Sequence, residues 1–273
     1  MKGTFRQTFD LTGKVALVTG GAGILGQYFC RALADHGAAV AVVDKDAAGA
    51  KHLATELAST YDVRAIGIEA DVADPSSVKE MSDKAEAGLG PIDVLLNNAA
   101  TKGTNPGAFF ADLGHFELST WREIMAVNLD GMFIVAQEIG ERMAKRGRGS
   151  IIQTASIYGV VGPDQRIYEG SEYQGRPINT PAVYSASKAG VIGLTRYLAT
   201  YWGANGIRVN ALTPGGVESG QNKEFMTRYS AHIPLGRMAK PEEMTGALVF
   251  LASDASSYVT GQNLIVDGGL TAW

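Results

Sequence analysis

The sequence has one cysteine, Cys30, in 273 residues, so no internal disulfide can form. No apolar run approaches the roughly 20 residues that a membrane helix needs, because Gly, Asp, Asn or Arg interrupts each candidate. The stretch from Met1 to Leu11 lacks the apolar core of a secretory leader. These absences point away from the membrane and towards the reducing cytoplasm. Positive charge is also in short supply. Lys plus Arg number 24 against 28 Asp plus Glu, a net charge of −4, which leaves no basic footprint for nucleic acid. The four histidines, His36, His52, His115 and His232, are scattered without ligand spacing, so no metal is expected. What remains is a chain that is 45% hydrophobic and 19% charged, apolar enough to fold as a globule and of a length that suits one large α/β unit spanning 1–273.

Short β-branched runs alternate with longer stretches of helical apolar spacing. The runs are Val15 to Val18, Ala39 to Val43, Val63 to Ile68, Val94 to Leu96, Ile151-Ile152, Ile207 to Leu212 and Leu264 to Val266. Between the first two, Leu25, Phe29 and Leu33 recur at helical spacing. Seven such repeats predict a doubly wound, seven-stranded parallel sheet in a three-layer Rossmann-type fold. Asp74-Pro75 and Lys240-Pro241-Glu-Glu243 mark helix starts. One stretch breaks the rhythm. Residues 162–180 are polar, contain two prolines and three glycines, and show neither period, so they read as a long inserted loop.

After the first run comes Thr19-Gly-Gly-Ala-Gly-Ile-Leu-Gly26, which opens directly into the helix of Phe29 and Leu33. Such a turn exposes backbone N–H groups at a positive helix end, where a pyrophosphate binds. Gly20, Gly23, Ile24, Leu25 and Gly26 are the candidate contacts. Asp44 ends the second strand 18 residues after Gly26, where a carboxylate hydrogen-bonds ribose hydroxyls and repels a 2′-phosphate. The expectation is therefore NAD rather than NADP, with Lys45 beside it as a cation that could partly accommodate a phosphate. Farther on, Tyr184-Ser-Ala-Ser-Lys188 puts a phenol and an ammonium four residues apart on one helix face. An adjacent cation and a positive nicotinamide stabilise a phenolate and are expected to lower the tyrosine's pKa from its usual value near 10.

From Leu11 to Gly269 these residues resemble the short-chain dehydrogenase/reductase family. Asp71-Val72 matches its adenine-side aspartate, and Asn97-Asn-Ala-Ala100 its Asn-Asn-Ala-Gly signature, with Asn98 and Ala99 as contacts and alanine in place of the last glycine. Pro214-Gly215, Val217 and Ser219 match the segment that meets the nicotinamide; Val259-Thr-Gly-Gln and Val266-Asp-Gly-Gly269 match later motifs. The resemblance implies a catalytic quartet of Asn128, Ser156, Tyr184 and Lys188. Tyr184 would be the acid/base, and Lys188 would tune it and hold the cofactor ribose. Ser156 would bind the substrate oxygen, and Asn128 would hold a water leading from Lys188 to solvent. It also implies a homotetramer or dimer packed through the helices of Asn128 and Tyr184. Compact members usually carry glycine where Ile24 stands; the spacing Gly20, Gly23, Gly26 is closer to that of extended members acting on nucleotide sugars.

Tyr184 follows Ser156 by 28 residues, more than in compact members, and the excess is the 162–180 loop. A loop tethered between two catalytic residues overhangs the substrate, and its polar side chains, Tyr173 and Gln174 among them, suit a hydroxyl-rich ligand. A surface insertion or an oligomer contact is the equal alternative. Tyr158, Arg166 and Glu169 are the candidate substrate contacts. The leading expectation is an NAD-dependent oxidoreductase interconverting a secondary alcohol and a ketone on a sugar, polyol or sugar acid. The alternatives are a nucleotide-sugar epimerase or dehydratase, which would call for a substrate domain not seen here, and a dinucleotide-sensing regulator without chemistry.

Overall fold

The computed structural model describes residues 4–173 and 175–273, so Gln174 lies outside the described residues. Seven parallel strands form one sheet: β1 (Val15–Thr19), β2 (Ala39–Asp44), β3 (Ala65–Glu69), β4 (Val94–Asn97), β5 (Gly149–Thr154), β8 (Ile207–Pro214) and β9 (Asn263–Val266). Their order is β3-β2-β1-β4-β5-β8-β9, so the chain reverses its direction of travel between β1 and β4. In such sheets the crevice for a ligand opens at the carboxyl ends of those two strands.

The strands read as unbroken apolar runs because both faces are covered. In β1, Val15 and Leu17 enter one core with helices α3 (Pro75–Leu89), α6 (Met132–Arg146) and α7 (Ala182–Trp202). Ala16 and Val18 enter the other, with α1 (Ile24–Asp35), α2 (Ala47–Tyr61) and α9 (Thr245–Ala252). Phe29, Cys30 and Leu33 of α1 are fully buried there, each large side chain contributing about 2–3 kcal/mol. Cys30 is thus a core residue. Asp74 caps α3, its carboxylate accepting from the Ser76 N–H at 2.9 Å, with Pro75 at the first helical position. The Pro241 start is a single 3-10 turn, Pro241–Met244, that feeds α9.

Two segments differ from their expected form. The long helix before β5 is interrupted: α5 (Leu118–Met125) passes through a π-helical turn, Ala126–Gly131, before α6 begins, and Asn128 sits in that turn. Such turns widen a helix by one residue and concentrate at functional sites. The 162–180 loop is not structureless. It holds a 3-10 turn, Gln165–Tyr168, and a small antiparallel hairpin, β6 (Glu172–Tyr173) with β7 (Arg176–Pro177). It also packs against the short helix α8 (Lys223–Ser230), through Ile167, which is 4% exposed.

Candidate active site

The glycine turn is shaped by contact, not by flexibility alone. Gly20 has φ +64°, and a Cβ on Gly26 would lie 2.0 Å from the Gly20 carbonyl oxygen. No side chain at Gly23 caps α1, so the first N–H groups of that helix face the crevice free of a capping group. Ile24 begins the helix 58% exposed, standing in open space where compact relatives carry glycine. The turn is pinned from β2. Asp44 Oδ2 accepts from the Ala22 N–H at 3.0 Å, and its Oδ1 from the Asp46 N–H at 3.1 Å. Thr19, at the end of β1, ties it to the end of β4: its hydroxyl accepts from the Asn98 and Ala99 N–H groups at 2.9 and 3.1 Å and donates to Asn97. Asn98 Nδ2 in turn donates to the Thr19 and Gly20 carbonyls. Motif reading had missed Thr19, although a hydroxyl at the end of a strand facing an Asn-Asn pair is a visible signal.

Lys45 does not stand free as a phosphate ligand. Its ammonium lies 3.0 Å from Asp71 Oδ2. Burial opposes ionisation of Asp71, but the Ala73 N–H and Lys45 outweigh it and hold the carboxyl below its ordinary value. The edge of the crevice therefore carries two carboxylates, Asp44 and Asp71, around one lysine.

The crevice is a cavity of about 590 Å³. Of the sequence-predicted cofactor residues it is lined by Gly20, Gly23, Ile24, Leu25, Gly26, Asp44, Lys45, Val72, Asn98, Ala99, Pro214, Gly215, Val217 and Ser219, together with Ser156, Tyr184 and Lys188. Asp71 stands just behind that wall through Lys45. Ala100, replacing the usual glycine, lines it as an exposed residue, so its methyl group has room. Gln221 was not anticipated; its side chain bonds the Ser219 N–H and hydroxyl and the Val217 carbonyl, bracing the far wall.

The reacting side chains come from two elements pressed together. Ser156 caps the short turn Ile157–Gly159 after β5, its Oγ accepting from the Tyr158 N–H at 3.3 Å. Gly159 lets that turn lie on α7: a Cβ there would be 2.6 Å from the Lys188 carbonyl carbon. Gly159 is thus what brings Ser156 up to Tyr184, and sequence reading overlooked it. Lys188 is 3% exposed, and its Nζ donates to the Thr154 carbonyl at 2.9 Å. Burial pulls its pKa down to about 8, so the ammonium survives at neutral pH. In the protein by itself, Lys188 alone does not lower the Tyr184 pKa. Burial pushes the phenol up, a hydrogen bond with Ser156 only partly offsets this, and the Lys188 ammonium, 5.9 Å from the ring centroid, does not reverse it. In a desolvated site the charged phenolate is the costly form.

Asn128 is fully buried, with its amide turned to main chain. Oδ1 accepts from the Thr101 N–H at 2.8 Å and Nδ2 donates to the Thr101 carbonyl at 3.3 Å. It fixes the segment after β4 to the π turn and does not line the cavity. The proposed substrate contacts are placed elsewhere. Arg166 is an exposed side chain in a two-pronged bond with Asp164, not with Glu169. Glu169 is exposed, with its carbonyl accepting from Arg228. Tyr158 packs behind Ser156 among Ile157, Tyr168 and Tyr229. None of the three lines the cavity, because the loop folds back onto α8 instead of across the opening. Among the described residues no cluster of metal-ligating side chains occurs, and no helix is long and apolar enough to cross a membrane.

Comparison with known proteins agrees with this geometry. The profile of the family described as Enoyl-(Acyl carrier protein) reductase matches residues 21–271. The chain is 38% identical over 268 residues to D-threitol dehydrogenase of Mycolicibacterium smegmatis, covering 96% of this chain and 95% of that protein. It is 36% identical over 278 residues to a galactitol 2-dehydrogenase (L-tagatose-forming) of Cereibacter sphaeroides, covering 98% and 99%. A gluconate 5-dehydrogenase from Burkholderia cenocepacia, solved with NADP and tartrate, superposes with a TM-score of 0.86 at 34% identity over 98% of each chain. The chain belongs to the short-chain dehydrogenase/reductase family. It is an oxidoreductase acting on CH–OH groups with a nicotinamide dinucleotide as cofactor.

Proposed function

We propose that the chain interconverts a secondary alcohol and a ketone on a polyol, sugar or sugar acid, with NAD in preference to NADP. The observation that carries this reading is one cavity holding Ser156, Tyr184 and Lys188 at one end and the glycine turn with Asp44 at the other. Its relatives in sequence support the substrate class, being named for threitol and galactitol. Asp44 and Asp71 support the cofactor preference. A 2′-phosphate would face two carboxylates, and the Lys45 ammonium beside them is paired with Asp71.

NAD would supply the hydride acceptor when bound. Its pyrophosphate fits the uncapped start of α1 over Gly20 to Gly26, and Asp44 would take the ribose hydroxyls of the adenosine. Lys188 would hold the other ribose, and Pro214, Gly215, Val217 and Ser219 would flank the nicotinamide. Ser156 orients the carbinol oxygen by hydrogen bond, and Tyr184 exchanges its proton. A neutral phenol, as burial keeps it, is ready to donate in the direction of ketone reduction; alcohol oxidation needs the phenolate. Asn128 acts through the segment it fixes. We further infer assembly as a homo-oligomer through α6 and α7, whose outer faces expose Phe133, Tyr197 and Tyr201.

The test is nicotinamide reduction, followed by absorbance, over a panel of tetritols, hexitols, aldoses and aldonates with both cofactors, and light scattering for assembly. Turnover of a polyol or sugar acid with NAD is expected. Silence across the panel, with reduction of a ketoacyl thioester by NADPH instead, would replace the reading.

A further inference from the structure

A chain of hydroxyls runs behind Ser156. The Tyr168 phenol of the inserted loop donates to the Tyr158 phenol at 3.4 Å and meets the Thr180 hydroxyl at 2.5 Å. Tyr158 also packs against the apolar cluster that holds Phe225 and Tyr229, the latter the penultimate residue of α8. Tyr168, held by Tyr158, thus stands between the loop and α8, segments about 60 residues apart in sequence. Burial raises the pKa of all three phenols, so each keeps its proton and can donate.

The ends of this chain are anchored. The Tyr229 ring lies where a Cβ on Gly216 would be, 2.1 Å from it, next to Gly215 of the cavity wall. Tyr168 stacks at a tilt on Phe225 of α8, with ring centroids 5.3 Å apart. At the near end the Tyr158 N–H donates to Ser156 Oγ. Tyr158 therefore contacts Ser156 through its main chain and the loop through its phenol.

We propose that Tyr158 is a positioning residue for the alcohol–ketone reaction: its phenol holds the Tyr168 ring of the inserted loop, which lies on Phe225 of α8, and so sets the packing that backs Ser156. The idea rests on the reading of Ser156 and Tyr184 as the reacting centre. Tyr158 touches neither cofactor nor substrate. Its hydroxyl fixes where the Tyr168 ring stands, so its loss should weaken substrate binding more than the chemical step.

The experiment uses the full chain with Tyr158→Phe, which keeps the ring and removes the hydroxyl. The KM for the best alcohol should rise about two- to tenfold, the range for one lost neutral hydrogen bond, with kcat within twofold and NADH affinity unchanged. Trypsin should cut faster after Arg166, which is exposed on the loop. Tyr168→Phe should do the same, and the double variant should be no worse than either single, because one chain is broken in each case. Tyr158→Ala should be worse than Tyr158→Phe in both readouts. Parental KM and parental cleavage in Tyr158→Phe would overturn the proposal, as would a fall in kcat with KM unchanged. If no alcohol is turned over by the parent, the activity reading fails while the cleavage rates still decide the bridge.

Discussion

The two ends of the cavity are built by different means. At the cofactor end the positions are set by backbone: Gly26 leaves room for the Gly20 carbonyl, and Asp44, Thr19 and Asn98 each bond main-chain groups. The substrate end is backed by side chains from three distant segments, the turn after Ser156, the inserted loop and α8, meeting in one small cluster of Ile157, Ile167, Phe225, Tyr229, Ile233 and Met238. A backbone-built site tolerates almost no change of residue type and serves one ligand. A side-chain-built wall can be re-formed by substitution without disturbing the sheet, which is how one fold can serve many alcohols.

The comparison can be broken most sharply where the two ends meet. Tyr184→Phe should lower turnover by about 10²- to 10⁴-fold while NADH affinity, followed by fluorescence titration, stays near that of the parent. Turnover within a few-fold would remove Tyr184 from the chemistry.

Gly26→Ala tests the cofactor end alone. The added methyl group must displace the Gly20 carbonyl, so NADH affinity should fall at least tenfold and the protein should lose about 1–3 kcal/mol of stability. Denaturant titration and NADH binding would measure both; unchanged NADH affinity would mean that the turn is not the pyrophosphate site.

Asp44→Ser should raise the efficiency ratio of NADP to NAD by about tenfold, since one repelling carboxylate is removed and Lys45 stays with Asp71. Steady-state kinetics with the two cofactors decide it, and an unmoved ratio would shift the discrimination to Asp71. Removing the hairpin, residues 170–177, is the complementary cut: KM for the alcohol should rise several-fold and NADH affinity should hold. Loss of assembly with parental kinetics would make the loop an interface element.

The smallest effect is on stability. The Lys188 pKa in the folded chain, about 8, lies below its ordinary 10.5, so the unfolded chain binds more protons between those values. Stability therefore gains from this residue as pH rises from about 8 towards 10, and below pH 8 the buried ammonium costs stability. Lys188→Met should melt higher than the parent at pH 7, and the gap should narrow by pH 10. A constant gap would show that Lys188 is not desolvated.

Fold and cofactor end were legible in the sequence because their signals are local. Each strand is a short apolar run covered on both faces, and Gly20 to Gly26 with Asp44 fall at spacings set by one strand-turn-helix-strand unit. Tyr184 and Lys188 needed only the helical period. The π turn at Asn128 was not legible, since its residues read as an ordinary helix and only the bonds to Thr101 show why it widens. The placing of Arg166 and Glu169 off the cavity was not legible for a related reason: charge in a loop gives no direction, and the loop packs on α8 through Ile167 and Tyr168.

By itself, then, the sequence determined the doubly wound sheet, the dinucleotide turn and the tyrosine-lysine pair, all of which follow from backbone geometry repeated over a few residues. Only the tertiary structure decided that Gly159 seats Ser156 against α7, that Lys45 is taken by Asp71, and that Tyr168 lies between Tyr158 and α8. Those three depend on which surfaces meet after folding, and a contact between segments dozens of residues apart leaves no period in the chain.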